Sequence, residues 1–100
     1  MINPMRVRFE SWWRAANGPK LDRDARITTG LYVDYSIPQA KFAIVLDKRR
    51  FHTRDKLATV HLEARVDSIL RAGWRVVPIT HDTTRDRVIR LAQLCGELCR

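Results

Sequence analysis

Apolar residues recur with two different periods along this chain, and the change of period predicts its helices and strands. Near the start they are spaced i, i+3, i+4 and i+7, which is typical of one face of a helix. The positions concerned are Phe9, Trp12, Trp13 and Ala16. Residues 17–19, Asn-Gly-Pro, end this helix because glycine accepts the left-handed backbone that closes a helix and proline cannot extend one. We therefore expect a helix over residues 5–16.

The middle of the chain alternates with a period of two, which predicts strands. Residues 21–27 are a weaker strand candidate that is rich in charge, and residues 28–30 form a turn. Residues 31–37 alternate cleanly, and the side chains expected on one face are Leu31, Val33, Tyr35 and Ile37. Residues 42–47 form an apolar strand, and residues 38–40 before it are too few for a crossover. These two strands therefore form an antiparallel hairpin.

Two further helices flank a last strand. One runs over about residues 53–72 with Thr53 as its N-cap, and residues 74–79 then form a short buried strand. The last helix begins at Thr83 and runs to about Cys99. The whole order is α-β-β-β-α-β-α, and the helix between the third and fourth strands permits a parallel crossover. We expect an α/β (or α+β) fold in which helices flank a mixed four-stranded sheet.

Length and charge restrict the range of functions and partners expected for this chain. The 100 residues exclude a multidomain enzyme, so we expect a single domain over residues 1–100. Lys and Arg total 19 against 11 Asp and Glu, which gives a formal net charge of +8 spread over both halves of the chain. Such a domain attracts polyanions, because phosphate contacts release counterions. Nucleic acid is therefore the leading partner, and the plain alternative is a basic protein that its charge keeps soluble.

Two other classes of protein are excluded. No apolar run approaches the roughly 18 residues of a membrane span and no signal peptide opens the chain, so we expect no membrane partner and a cytoplasmic location. The two cysteines, Cys95 and Cys99, are too few and too close for the disulfide framework of a secreted domain. We interpret them as reduced thiols on a packed helix face.

The predicted hairpin carries two carboxylates that are expected to converge. With the turn near residues 38–39, Asp34 comes roughly opposite residues 45–47 and thus near Asp47. Two oxygen ligands open to water suit Mg²⁺ (or Mn²⁺), which polarises a phosphodiester and helps to ionise water. His52 follows closely and suits general acid–base work. The basic residues that would meet the phosphates of DNA are Lys48, Arg49 and Arg50.

Each of these residues also has a structural interpretation. Asp34 is as well explained as a solvated residue on the exposed side of a hairpin. Asp47 suits the end of a strand and the start of a turn. His52 suits a loop that precedes a helix, and a Lys-Arg-Arg run is usually a solvated surface. The pattern by itself does not name an enzyme.

Five segments resemble one family in their order and spacing. They are residues 32–35 (Tyr-Val-Asp-Tyr), 43–47 (Ala-Ile-Val-Leu-Asp), 51–52 (Phe-His), 63–67 (Glu-Ala-Arg-Val-Asp) and 70–76 (Leu-Arg-Ala-Gly-Trp-Arg-Val). Over about residues 6–99 the chain resembles the small endonuclease-like domains related to the very-short-patch-repair mismatch endonucleases, within the PD-(D/E)XK restriction-endonuclease superfamily. The resemblance implies a restriction-endonuclease-like core. It also implies a metal-dependent DNA endonuclease that hydrolyses phosphodiester bonds in repair or mobile-element biology.

The resemblance further implies roles for particular residues. Asp34 matches the metal-binding aspartate of the second strand, and Asp47 falls where relatives carry Asp or His. His52 matches the histidine taken as general base, and Glu10 matches a helix glutamate that assists the metal-bound water. The supporting pair on the central helix is Arg65 and Asp67.

Departures from the family pattern leave alternatives open. Val45 holds the place where many relatives have Glu, Lys48 replaces the usual Gly, and no Lys occupies the third motif position. One alternative is therefore a catalytically inactive, nuclease-like protein that binds DNA or serves as an accessory subunit. Another is an interaction protein whose exposed Trp12 and Trp13 mark a dimer surface, unless both pack into the core. A homodimer that cuts both strands also suits a chain this small.

Overall fold

The structure, a computed structural model, describes residues 3–47 and 56–100, without the side chains of residues 56–60. The helices and strands of the described residues are α1 (Pro4–Ala15), β1 (Asp22–Thr28), β2 (Leu31–Ile37), β3 (Phe42–Leu46), α2 (Lys56–Arg71), β4 (Arg75–Ile79) and α3 (Arg85–Leu98). A single 3₁₀ turn, Pro38–Ala40, joins β2 to β3. The predicted order of a mixed α/β chain with a four-stranded sheet is confirmed. The predicted cap Thr53 lies outside the described residues.

The four strands form one mixed sheet in the order β1-β2-β3-β4. The short connections make β1, β2 and β3 antiparallel neighbours, whereas α2 carries the chain back so that β4 runs parallel to β3. This is the crossover that a helix between two strands permits. The sheet therefore places the last residues of β3 and β4 side by side at one end.

Helices cover both faces of the sheet, so the core has two parts. On one face α1 and α3 pack against β2, β3 and β4 around Phe9, Trp13 and Ile44. On the other face α2 packs against the sheet around Ile69 and Val45. All five residues of β3 are buried, which explains why this strand reads as a continuous apolar run. The chain is thus a three-layer α/β/α sandwich.

The first helix is positioned by its ends. The Asn3 side chain accepts hydrogen bonds from the backbone N–H groups of Met5 at 3.0 Å and Arg6 at 3.4 Å, so it caps the helix. At the other end the indole Nε1 of Trp13 donates to the Pro19 carbonyl at 2.8 Å. Trp13 is buried and Trp12 is half-buried against the same core. The two tryptophans therefore pack as the core alternative expected.

The start of the last helix differs from the prediction by one residue. Thr84, and not Thr83, caps α3, because its Oγ1 accepts the backbone N–H of Arg87 at 3.2 Å. The Thr83 hydroxyl accepts the backbone N–H of Thr80 at 2.9 Å and so closes the preceding loop. None of the described helices is long and apolar enough to cross a membrane.

Candidate functional site

Asp34 lies in the middle of β2, where the alternation of the strand is broken. Val33 packs on the α2 side of the sheet and Tyr35 on the α1 side, although residues two apart in a regular strand share a face. The predicted regular alternation over residues 31–37 is therefore wrong here. The carboxylate turns towards β3, where Oδ2 accepts the backbone N–H of Leu46 at 2.7 Å. Asp34 thus contacts the segment that the hairpin placed opposite it.

Arg6 of α1 binds Asp34 from one face of the sheet. Its Nη2 lies 3.4 Å from Oδ1 of Asp34 and 3.1 Å from Oδ1 of Asp24. Asp24, with a φ of 48°, faces Asp34 across the β1–β2 pairing, since the residue pairs on either side of them are in register. The same guanidinium lies 4.9 Å from the centre of the Tyr35 ring, which adds a cation–π contact. One arginine therefore bridges two facing aspartates.

Arg65 of α2 approaches Asp34 as well. Its Nη2 lies 3.8 Å from Oδ2 of Asp34. The guanidinium is held in place because Nε and Nη2 donate to the Tyr32 carbonyl at 3.3 Å and 2.9 Å. The Asp34 side chain is only 13% exposed, so its carboxylate is largely shielded from water. The interpretation of Asp34 as a solvated hairpin residue is therefore wrong.

Glu10, the predicted helix glutamate, belongs to a neighbouring contact. Its Oε2 accepts the Tyr35 hydroxyl at 2.6 Å and lies 2.9 Å from Nη2 of Arg23. Burial, with help from this hydrogen bond, raises the pKa of the Tyr35 hydroxyl well above its usual value. The hydroxyl therefore stays protonated and donates to Glu10. Glu10 and Asp34 are linked through Tyr35 and Arg6 rather than by facing one another.

The remaining predicted residues fall into three groups. Asp47 directly follows β3, is 7% exposed, and donates its backbone N–H to the Ile79 carbonyl at 2.7 Å. Of the two supporting residues predicted on the central helix, Arg65 contacts Asp34, whereas Asp67 pairs with Arg71 at 2.8 Å on the exposed side of α2. Four predicted residues lie outside the described part of the chain: Lys48, Arg49, Arg50 and His52.

We call Arg6, Asp24, Asp34 and Arg65 the Asp34 cluster. Its two guanidiniums and two carboxylates sum to zero charge, and both oxygens of Asp34 already accept from or pair with N–H groups. Among residues 3–47 and 56–100 no group of three or more His, Cys, Asp or Glu side chains is placed to hold a metal ion. The predicted divalent cation at Asp34 and Asp47 stays a prediction, and the members of the Asp34 cluster contact one another. They form an ion-pair network that ties α1 and α2 to the sheet.

Sequence reasoning missed Arg6 and Asp24. A signal for each was present: Arg6 lies four residues before Glu10, which puts the two on one face of the helix. Asp24 becomes the partner of Asp34 once β1 and β2 are paired across the turn at residues 28–30. Neither signal shows which carboxylate the arginine prefers, since that depends on how α1 packs on the sheet.

Comparison of the chain with models of protein families, with curated proteins and with solved structures finds no match.

Proposed function

We propose that this chain is a DNA-binding domain with a restriction-endonuclease-like core that does not hydrolyse DNA. The order of its elements, the three antiparallel strands and the parallel fourth strand agree with the core that the sequence resemblance implies. The proposal takes the fold and the DNA partner from the resemblance. It departs from the resemblance in the chemistry of the acidic centre.

The observation that carries the proposal is the environment of Asp34. The Leu46 amide and the two arginines Arg6 and Arg65 surround the carboxylate that a nuclease would offer to a cation. Withdrawing the carboxylate would leave the buried Leu46 amide without its acceptor and each of the two partly buried guanidiniums with one partner fewer, which costs about 1–3 kcal/mol. Val45, at the place of a second acidic ligand, is fully buried among apolar side chains. The centre therefore supports a structural carboxylate better than a catalytic one.

Charge supports the DNA partner. The chain carries a formal net charge of +8, and the Asp34 cluster contributes nothing to it because its charges cancel. The excess therefore resides in side chains elsewhere, including the exposed Arg8 and Arg14. Such charges bind phosphates without reading sequence, and the binding weakens steeply with added salt. We expect duplex binding with little sequence preference.

A metal-dependent endonuclease is the second candidate, and one contact favours it. Asp34 is hydrogen-bonded to the amide of Leu46, the residue next to Asp47, so the two carboxylates belong to the same part of the sheet. In this candidate Asp34 and Asp47 would hold Mg²⁺ or Mn²⁺, with His52 as base and Glu10 in support. It requires Arg6 and Arg65 to release Asp34.

One assay separates the two candidates. The purified chain is incubated with supercoiled plasmid and either Mg²⁺ or Mn²⁺, and the plasmid is examined for a gel shift and, after removal of the protein, for nicking. The variants are Asp34→Asn and His52→Ala. Asp67→Asn is the matched control, because among the residues whose side chains are described Asp67 pairs with Arg71 on an exposed face. We expect a salt-sensitive shift and intact plasmid. Nicking that Asp34→Asn abolishes and Asp67→Asn retains would establish the endonuclease instead, and a chain that neither shifts nor nicks plasmid would refute both candidates.

A further inference from the structure

A groove runs between the edge strand β4 and α3, on the face of the sheet opposite α2. It has a volume of about 240 Å³. Its walls are β4 on one side and one stripe of α3 on the other. The lining residues include Val77, Pro78, Arg87, Arg90, Leu91 and Leu94. None of them belongs to the Asp34 cluster, so the groove is a separate feature.

Among the described strands β4 lies at an edge of the sheet, and Pro78 limits its pairing with a further strand. Arg75 donates its backbone N–H to Lys41 at 2.8 Å and the Ile79 carbonyl accepts from Asp47, so these residues direct their backbone groups towards β3. Pro78, one residue before Ile79, therefore lies where a backbone N–H would point away from the sheet. Because proline has no N–H, the edge lacks a donor at this position. An occupant of the groove is thus held mainly by side chains.

The stripe on α3 combines charge with apolar surface. Arg87, Arg90, Leu91 and Leu94 are spaced i, i+3, i+4 and i+7, which puts them on one face of the helix. Leu94 is 47% exposed, a large fraction for a leucine beside a groove. Both arginines are exposed, and neither forms an ion pair with any carboxylate whose side chain the structure describes. The apolar floor and the two cations therefore lie next to each other without a partner in the described part of the chain.

We propose that this groove binds an acidic, leucine-rich segment of a partner protein. Apolar side chains of the segment pack against Val77, Leu91 and Leu94, and its carboxylates pair with Arg87 and Arg90. Charge complementarity selects this occupant: a second copy of the chain carries the same +8 charge, and a nucleic-acid backbone has no apolar side chain for the floor. The inference does not depend on the proposed function.

The test measures peptide binding by fluorescence anisotropy. The probe is a short labelled peptide in which glutamate pairs alternate with leucines, and two comparison peptides replace either every Glu with Lys or every Leu with Ser. The groove variants are Leu94→Asp and the double variant Arg87→Ser with Arg90→Ser. The control is Lys20→Ser with Arg26→Ser, which removes the same charge; Arg26 is on β1, at the opposite edge of the sheet. An unlabelled DNA duplex serves as competitor.

We expect binding of the glutamate–leucine peptide and of neither comparison peptide, with each groove variant weakened about tenfold, or about 1.4 kcal/mol, and the control within about twofold of the parent. Circular dichroism confirms that the variants fold. If the control weakens peptide binding as much as the groove variants do, the binding depends on net charge and not on the groove. If Leu94→Asp binds the peptide as tightly as the parent, the apolar floor does not contact the peptide. Either result overturns the proposal. It is also overturned if the duplex displaces the peptide and the groove variants lose affinity for DNA more than the control does.

Discussion

The carboxylate of Asp34 accepts the backbone N–H of Leu46 at 2.7 Å, so a side chain supplies a hydrogen bond between β2 and β3. Backbone pairing of these strands covers residues 35–37 of β2 and stops at Tyr35, beside Asp34. The side chain therefore continues the contact between the strands beyond the point where the regular pairing ends. The same carboxylate also pairs with two arginines of the Asp34 cluster. Substitutions at Asp34 can therefore separate the contribution of the hydrogen bond from that of the charge.

Two substitutions at Asp34 separate these contributions. Asp34→Asn keeps an oxygen for the Leu46 amide but loses the charge that pairs with Arg6 and Arg65. Asp34→Ala loses both. Because unpaired buried groups carry their desolvation cost, we expect the free energy of unfolding to fall by about 1–2 kcal/mol for Asn and by about 2–4 kcal/mol for Ala. Urea unfolding followed by tryptophan fluorescence measures both values.

The matched control is Asp67→Ala, which removes an exposed carboxylate from a pair within one helix. We expect it to change the free energy of unfolding by less than about 0.5 kcal/mol. If Asp34→Ala is no more costly than this control, the Asp34 cluster is not a stabilising network and the structural role given to it is wrong.

The elements were predictable, but the site was not. Periodicity and turn residues identify all the helices and strands because these signals are local. The orientation of Asp34 depends on Arg6 from α1 and Arg65 from α2, which approach it only after the helices have packed. Regular alternation is a correct expectation for an unbroken strand. It failed at Asp34, which contacts the ion-pair cluster and faces Asp24, a residue with a left-handed φ of 48°. The same limit explains why Arg65 was named as a supporting residue while Arg6 and Asp24 were missed.

The Tyr35 hydroxyl provides a second test of the buried polar contacts. Tyr35→Phe removes the donor to Glu10 and leaves the ring against Phe9 and Arg6 in place. A hydrogen bond to a charged acceptor is worth about 1.5–3 kcal/mol, and the remaining Glu10–Arg23 pair recovers part of it, so we expect a loss of about 1–2 kcal/mol. The control is Tyr32→Phe, since Tyr32 is 56% exposed. Thermal unfolding measures the melting temperatures of the two variants. If Tyr35→Phe melts at the same temperature as Tyr32→Phe, the Tyr35 hydroxyl does not contribute to stability.

Two glycines offer a pair of opposite predictions. A methyl group on Gly18 would overlap the Trp13 indole, because its Cβ would lie 2.5 Å from Cε2 of the ring. This ring is fixed by burial and by its hydrogen bond to the Pro19 carbonyl. Gly18→Ala should therefore destabilise the chain by about 1–3 kcal/mol and shift the tryptophan emission. A methyl group on Gly96 of α3 meets nothing within 4 Å. Gly96→Ala should raise stability by about 0.5–1 kcal/mol, because alanine favours a helix. Denaturant unfolding measures both, and two changes of the same sign would contradict the packing described.

The thiol of Cys95 makes stability depend on alkaline pH. Burial, followed in size by the neighbouring Cys99, raises the pKa of Cys95 to about 12. In the unfolded chain the thiol ionises near its ordinary value of 9.0. Between these values the unfolded state binds fewer protons than the folded state, so stability is complete below about pH 9 and falls as the pH rises towards about 12, by at most roughly 1.4 kcal/mol per pH unit.

The variant that isolates this effect is Cys95→Ala, with Cys99→Ala as the control. We expect the free energy of unfolding of Cys95→Ala to be lower than that of the parent at neutral pH, since a buried side chain has been shortened, but to fall less steeply above about pH 9 because one raised group has been removed. Part of the slope persists, since burial also raises the pKa of Tyr35. Urea unfolding at a series of alkaline pH values measures the slopes, and a Cys95→Ala slope as steep as that of Cys99→Ala would show that the thiol is not protected by the fold.

Independently, a thiol-labelling reagent should modify the half-buried Cys99 well before the buried Cys95, because the reactive thiolate of Cys95 is both rare and inaccessible.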